Sequence, residues 1–302
     1  MKYTLHRAFV TLAATATLAT AALAGEVTVR TFTGEASVPA RPERIAVLDI
    51  AAADTLAALG VEIAALPGKV YVDYLDGAAA AATPVGTLFE PDFEALAALG
   101  PDLIIAGGRS APKVEALSRI APTIDMSIRN DQVLEQAVER LEAYGEITGL
   151  TDEAAALRAG FEEKIAATQT ALAGKGNALI LLTNGPKISA YGAGSRFGWI
   201  HRGLGLPEAR EGLETQTHGE AVSFEFIAEV NPDWLIVVDR GAAVGAEGAA
   251  AAQTLDNELV TGTEAWKNGR VIYLDAARIY VASGGIQATS ALLDQLTAAF
   301  GS

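Results

Sequence analysis

The amino-acid sequence predicts an α/β fold with two Rossmann-like lobes that are joined by a long α-helix, and with a ligand cleft between the lobes. Three observations support this prediction. Short apolar segments alternate with helical segments, one pattern occurs twice in the chain, and an amphipathic helical segment lies between the two copies. Alternating strands and helices are typical of parallel α/β layers, and a cleft between domains is a common ligand site.

The repeated pattern spans 17 residues, and its second copy lies 131 positions after the first with no gap. The seven identical pairs are Phe93/Phe224, Glu94/Glu225, Ala97/Ala228, Pro101/Pro232, Asp102/Asp233, Ile105/Ile236 and Arg109/Arg240. A period of this length is too long for a solenoid repeat. We therefore interpret the two copies as corresponding parts of two related lobes.

The first lobe is predicted to cover residues 25–129. Residues 44–49 read as a buried strand, and the helix that follows ends at Gly60. The first copy of the repeat then supplies a helix near residues 90–100, opened by a proline and an aspartate and stopped by a glycine, and the strand Leu103–Ala106.

Residues 130–150 are predicted to form the connecting helix. Their apolar side chains recur on one helical face, at Leu134, Ala137, Val138, Leu141 and Tyr144. A helix of about 20 residues is roughly 30 Å long, enough to run across two lobes. Because a helix is stiffer than a pair of hinge strands, we expect only small ligand-induced motions.

The second lobe is predicted to cover residues 151–302. It begins with a helix that continues to Gly174, and its strands are expected at residues 178–182, 234–238 and 271–274. The last strand leads through a loop to a C-terminal helix.

The N-terminal segment, residues 1–24, has the pattern of a secretory signal peptide. Lys2 and Arg7 form a positive region, residues 8–23 are mostly small and apolar, and Ala22-Leu23-Ala24 fits a cleavage site. The alternative, a membrane anchor, needs a longer and more apolar run. We expect cleavage, export to the periplasm and no direct insertion into the membrane.

Composition excludes several classes of partner and site. The chain has a net charge of −15, and removal of the signal takes away two basic residues and no acidic one, which makes it −17. Nucleic acid and anionic lipid are unsuitable partners because both need a basic surface. The chain has no cysteine, which excludes disulfides, thiolate metal sites and a lipid-modified cysteine.

Arginines follow predicted strands at matched places in the two lobes. Arg109 and Arg240 come directly after strands, where ligands of α/β sheets gather; the alternative is a pair of surface arginines that bind nearby acids such as Asp239. Arg196 follows a glycine-rich segment whose spacing misses the dinucleotide fingerprint. We expect Arg196 to open a helix, where it either adds a third cation to the cleft or is an ordinary surface arginine.

Three further side chains are candidates with structural alternatives. His201 lies on a predicted amphipathic helix, where we expect it to be structural or exposed. His218 lies in a polar loop before the second copy of the repeat, and Tyr280 follows the last strand. A solvated loop histidine and a packed tyrosine are the alternatives to ligand binding.

The segments KISAYGAGSRFG, THG, NPDWLIVVDR and YVASGG, within residues 187–285, resemble the periplasmic binding proteins of iron–siderophore ABC importers. The similarity is to the helical-backbone class, class III, and to its ferric-catecholate branch. It implies a protein without a permanently bound cofactor that captures an Fe(III)–siderophore complex and delivers it to an inner-membrane ABC permease. We expect a monomer.

The resemblance also implies roles for seven residues. Arg109, Arg196 and Arg240 would form a cationic floor for catecholate oxygens. His218 and Tyr280 would ligate the Fe(III) of a siderophore that offers only four donor atoms. Glu94 and Glu225 would dock onto the permease, although both also suit a helix N-terminus. Residues 66–86 match no cleft contact of the first lobe.

Other functions find less support in the sequence. A binding protein of the same fold for haem or a cobalamin is the closest alternative. Zinc and manganese sites need several histidines and carboxylates, and only two histidines follow the signal. A secreted hydrolase is not supported, because the chain has no G-x-S-x-G motif and no cysteine. We therefore expect no enzyme activity.

Overall fold

The computed structural model describes residues 25–129, 132–213, 219–246, 248 and 250–301. The predicted signal peptide lies outside these residues. Within them, the strands form two five-stranded sheets and one two-stranded sheet, with helices packed around them. This architecture confirms the predicted α/β class. None of the helices in the described part of the chain combines the length and the hydropathy that a membrane span needs.

The first lobe is built on a parallel sheet whose central strands are fully buried. An antiparallel hairpin precedes it, with strands β1 (Glu26–Thr31) and β2 (Gly34–Pro39). The sheet contains β3 (Ile45–Val47), β4 (Ala65–Leu66), β5 (Thr83–Pro84), β6 (Leu103–Ala106) and β7 (Thr123–Asp125). All pairings are parallel, and the order is β5-β4-β3-β6-β7. Helices of this lobe are α1 (Ile50–Ala58), α2 (Asp76–Ala81), α3 (Phe93–Leu99) and α4 (Val114–Leu117), with 3₁₀ turns at Asp73–Leu75 and Ala111–Lys113.

Two long helices follow the first sheet, α5 (Val133–Thr148) and α6 (Thr151–Leu172). The apolar face of α5 is buried, including Tyr144, which is 1 % exposed. Gly149 ends α5 in the left-handed conformation, with φ of +77°, a geometry that favours glycine. The helix therefore lies where the connector was predicted, while the residue boundaries assigned to the lobes stay a prediction.

The second lobe is built on a mixed sheet. Its strands are β8 (Ala178–Asn184), β9 (Lys187–Tyr191), β10 (Glu220–Ala221), β11 (Trp234–Asp239) and β12 (Val271–Tyr273), in the order β10-β9-β8-β11-β12. The strands β8, β11 and β12 are parallel, whereas β9 and β10 are antiparallel. The helices are α7 (Trp199–Arg202), α8 (Phe224–Val230), α9 (Arg240–Val244), α10 (Ala251–Leu255), α11 (Glu258–Thr261), α12 (Glu264–Lys267), α13 (Ala276–Tyr280) and α14 (Ile286–Gly301).

The two copies of the repeat build equivalent helix–strand units, α3–β6 and α8–β11. The helices end on left-handed residues at matched positions, Gly100 and Asn231. Asp102 accepts hydrogen bonds from the backbone amides of residues 43 and 44 just before β3. Asp233 accepts one from the backbone amide of Asn177 just before β8. Each repeated aspartate thus fastens its unit to the neighbouring parallel strand.

The C-terminal helix α14 begins against α1 of the first lobe. The buried carboxylate of Asp54 accepts hydrogen bonds from the backbone amides of Gln287 at 2.8 Å and Ala288 at 2.9 Å, and from the Tyr74 hydroxyl at 2.5 Å. A carboxylate at a helix N-terminus satisfies amides that have no partner within the helix. Gly285 permits this approach, because a Cβ there would lie 2.5 Å from Asp54 Cγ.

Candidate ligand-binding site

Three arginines converge on one tyrosine. Arg109 Nη2 and Arg196 Nη2 each donate a hydrogen bond to the Tyr280 carbonyl at 2.9 Å, and Arg240 Nε donates one to the Tyr280 hydroxyl at 3.1 Å. The guanidinium carbon of Arg196 lies 4.3 Å from the centroid of the Tyr280 ring, within the range of a cation–π contact. The structure therefore brings four of the predicted site residues together at one place.

Two of the arginines are placed by the strands of the repeat. Arg109 follows β6 after two glycines, and Arg240 is the first residue of α9, directly after β11. The alternative pairing with Asp239 does not occur: the Asp239 carboxylate accepts the backbone amides of Ala242 and Ala251 and forms no ion pair with Arg240. Both arginines are consequently directed at Tyr280 rather than at a neighbouring acid.

The third arginine lies in a tight turn after β9. The Ser195 hydroxyl donates to the Gly192 carbonyl at 2.6 Å, which closes the turn. Gly198 packs so closely on Ala193 that a Cβ would overlap its carbonyl. The helix α7 begins only at Trp199, so Arg196 precedes the helix by three residues and does not start it, contrary to expectation.

The cluster changes the acidity of its members. Burial alone would raise the pKa of Tyr280, but the hydrogen bond from Arg240 and the charges of Arg196, Arg240 and Arg109 together lower it below its ordinary value of 10.0. Burial also lowers the pKa of Arg196. A phenol with a lowered pKa more readily loses its proton to give the phenolate that a cation such as Fe(III) binds, and a group of guanidinium ions attracts anionic oxygens.

A small pocket adjoins the cluster and is lined by residues from both lobes. Its volume is about 110 Å³, and its walls include Asp49, Arg109, Arg196, Tyr280 and Ser283. Pockets that enclose drug-sized ligands measure roughly 300–1,000 Å³. A large ligand would therefore lie mostly in the open cleft above, with only one small part in the pocket.

Sequence reasoning missed two contacts at the cleft. Asn184 Oδ1 accepts a hydrogen bond from Arg240 Nη1 at 3.3 Å; it ends β8 beside β11, so the strand-end rule could have found it. Lys69 Nζ donates to the Val244 carbonyl at 2.9 Å, from the first lobe to the C-terminal end of α9. Lys69 belongs to the segment 66–86, in which no cleft contact was predicted.

The remaining candidates lie away from this cluster or outside the described residues. His201 is buried, its Nδ1 lies 2.8 Å from the Leu206 carbonyl, and burial lowers its pKa, so its role is structural. His218 is outside the described residues, and its predicted contact with iron stays a prediction. Glu94 and Glu225 are exposed in the first turns of α3 and α8. A hydrogen bond from the Ser223 hydroxyl lowers the pKa of Glu225.

Comparison with protein families identifies the family of most of the chain. Residues 45–277 match the family model described as periplasmic binding protein. The chain belongs to this family. The petrobactin-binding protein YclQ of Bacillus subtilis is 37% identical over 266 residues, which cover 86% of this chain and 83% of YclQ. The ferric-anguibactin-binding protein FatB of Vibrio anguillarum is 31% identical over 275 residues, which cover 87% of this chain and 84% of FatB.

Solved structures of such proteins have the same fold. The crystal structure of YclQ superposes with a TM-score of 0.87 at 33% identity, covering 92% of this chain and 99% of YclQ. The periplasmic catecholate-siderophore binding protein VctP of Vibrio cholerae gives a TM-score of 0.85 at 31% identity, covering 91% of this chain and all of VctP, 100%. The predicted resemblance to siderophore-binding proteins is confirmed.

Proposed function

We propose that this protein captures a ferric siderophore of the catecholate type in the cleft at Tyr280 and delivers it to an inner-membrane ABC permease. The observation that carries the proposal is the convergence of Arg109, Arg196 and Arg240 on one tyrosine. Ferric complexes of two or three catecholates are anionic, and planar guanidinium ions suit their delocalised oxygens. The net charge of the protein is negative, which repels anions in general. These three cations therefore provide a local site that attracts an anionic complex.

The relatives support the same ligand class. YclQ, FatB and VctP are named for petrobactin, ferric anguibactin and a catecholate siderophore. These names do not favour the haem or cobalamin alternative. Since all three are named as binding proteins, we assign no enzyme activity, and we expect a monomer that acts in the periplasm after cleavage of residues 1–24.

Tyr280 and His218 are proposed to ligate iron in some siderophore complexes and not in others. A four-donor siderophore leaves two positions of Fe(III) open, which a phenolate and an imidazole can fill. The lowered pKa of Tyr280 favours the phenolate. A six-donor siderophore fills all positions itself, so these side chains would contact it only through its periphery.

Titration of intrinsic fluorescence tests the assignment. Trp199 begins α7, three residues after Arg196, and is therefore placed to report a bound iron complex by quenching. We expect quenching by ferric bis- and tris-catecholates and none by haem or cobalamin. Arg196→Ala should weaken binding, whereas Arg119→Ala, an exposed arginine paired with Glu115 on α4 and its C-terminal turn, should not. Binding of haem without binding of any ferric catecholate would overturn the proposal.

Direct ligation of iron has its own test. Tyr280→Phe and His218→Ala should weaken a ferric four-donor complex more than a six-donor complex, because only the former needs protein ligands. Equal losses for both complexes would contradict direct ligation and leave the anion site intact.

A further inference from the structure

The pocket beneath the arginines contains a carboxylate that is only half used. Asp49 follows β3 and caps α1, where its Oδ1 accepts the backbone amide of Ala52 at 3.0 Å. The backbone amide of Ala51 also lowers the pKa of this carboxylate, but none of the described residues has a donor in hydrogen-bond geometry with Oδ2. This oxygen faces Gly108, where an added Cβ would lie 3.4 Å from it. The helix cap therefore uses Oδ1 of Asp49, and Oδ2 is left without a donor at the lining of the pocket.

The cations near Asp49 are engaged elsewhere. Arg109 lines the same pocket but directs its Nη2 to the Tyr280 carbonyl, and no ion pair within the described residues joins it to Asp49. The nearby carboxylate of Asp125 accepts both the amide and the hydroxyl of Ser127 at one oxygen, Oδ1, and it does not line the pocket. Burial raises the pKa of Asp49 more than the Ala52 amide and the Arg109 charge lower it. A further hydrogen-bond donor would offset this cost of burial.

The other lobe contributes a second unused polar atom. The Ser283 hydroxyl lines the pocket, is shielded from solvent, and has no hydrogen-bond partner among the described residues. Buried hydroxyl groups are normally bonded, so an unpartnered one needs an explanation. The pocket volume of about 110 Å³ holds a few water molecules or one small group, but not an iron centre with its catecholates.

The geometry points to a subsite in which Asp49 and Ser283 receive an N–H group from the linker that joins the iron-binding arms of the siderophore. This inference rests on the proposed function and makes it more specific. The preferred siderophores carry an amine or amide in the linker, at a position that reaches this pocket, while the arginines bind the iron complex itself. Asp49 and Ser283 would thus determine specificity, and the arginines general anion capture.

Three ferric bis-catecholate complexes with linkers of equal length test the subsite. The central atom of the linker is a secondary amine, a methylene or an ether oxygen. We expect the wild-type protein to bind the amine complex at least about ten-fold more tightly than the methylene complex, because a hydrogen bond to a charged group contributes that much to affinity. The ether complex, which can only accept, should bind no better than the methylene complex.

Asp49→Asn is the informative variant, because asparagine caps helices as well as aspartate does but lacks the charge. It should lose the preference for the amine while it still binds the methylene complex. Ser283→Ala should reduce the preference and provides an independent variant if Asp49→Asn does not fold. Asp92→Asn is the matched control, since Asp92 also caps a helix with its carboxylate, at the start of α3, and does not line the pocket.

The outcomes separate the two levels of the argument. Equal binding of the three complexes by the wild-type protein, as expected if the pocket holds only water, would overturn the subsite and leave the proposed function standing. An amine preference that survives both Asp49→Asn and Ser283→Ala would overturn it as well. Failure to bind any of the three complexes would instead refute the proposed function.

Discussion

The contact between Asp54 and the helix α14 should make the stability of the protein depend on pH. Asp54 is fully buried, and it accepts two backbone amides of α14 and the Tyr74 hydroxyl. Burial nevertheless raises its pKa from 3.8 to about 6, against the effect of these hydrogen bonds and of the Arg278 charge. Burial and the neighbouring Asp54 also raise the pKa of Tyr74, so Tyr74 stays a neutral donor near pH 6.

The sign and size of the effect follow from this shift. The folded protein holds the Asp54 proton more tightly than the unfolded chain does. Its contribution to the free energy of unfolding is therefore complete below about pH 4 and is lost as the pH rises through 6. A difference of about two pH units corresponds to about 3 kcal/mol. Asp54→Asn has no such titration, so the stability of the wild-type protein relative to this variant should fall by about 2.4 kcal/mol of this total between pH 4 and pH 7.

Urea unfolding at a series of pH values measures this difference. Asp54→Asn also loses one acceptor of the α14 amides, which should lower the free energy of unfolding of the variant by the same amount at every pH. This loss adds a constant to the difference between the two proteins and does not change how that difference varies with pH. Thr55→Val is the matched control, since the Thr55 hydroxyl accepts the amide of Ile286 at the same helix start and does not titrate. A wild-type advantage over Asp54→Asn that stays constant or grows from pH 4 to pH 7 would refute the reasoning.

Three further predictions concern the cleft and the docking surface. Arg196→Ala should weaken binding of a ferric catecholate by about 1.5–3 kcal/mol, roughly 10- to 150-fold, as measured by fluorescence titration; a loss no larger than that of Arg119→Ala would contradict its role. Tyr280 should form its phenolate below pH 10.0 because the arginines lower its pKa, and Tyr280→Phe should remove this first phase from the ultraviolet titration of tyrosinate. Glu94→Ala combined with Glu225→Ala should leave siderophore affinity unchanged and reduce stimulation of ATP hydrolysis by the reconstituted permease; unchanged stimulation would remove their docking role.

The predictable parts of the fold are those specified by local sequence. The strand at Leu103–Ala106 was predicted with its observed limits, since a short apolar run between a proline and two glycines fits a buried parallel strand. The helix α3 was also predictable from its sequence. Asp92 accepts hydrogen bonds from two backbone amides of the first turn, and Gly100 ends the helix in the left-handed conformation. In both cases the residues that form the element also supply its boundaries.

The missed strands depend on their neighbours. The strands β4 and β5 have two residues each, too few for any periodicity to show. The hairpin β1–β2 and the antiparallel strand β9 alternate polar and apolar residues, and Val29, Val38 and Ile188 are buried. This alternation is a strand signal that the sequence interpretation did not use, whereas the two-residue strands depend on pairing with adjacent strands.

The candidate site and the contacts between the lobes divide in the same way. Arg109 and Arg240 were found because the repeat places both after a strand. The contacts of Asp54 with Gln287 and of Lys69 with Val244 join residues that lie 233 and 175 positions apart. Neither contact has a signal in the local sequence, since each depends on how the first lobe packs against the second.

The contacts of the three arginines with Tyr280 decide what a substitution of this tyrosine can reveal. Arg109 and Arg196 bind its backbone carbonyl, and only Arg240 binds its hydroxyl. Tyr280→Phe therefore keeps the acceptor of two of the three guanidinium groups and keeps the aromatic ring. It removes the one atom that can ligate iron. A loss of affinity that is confined to four-donor siderophores would consequently report ligation of Fe(III), because the cationic site for the anionic complex is still held in place by the main chain.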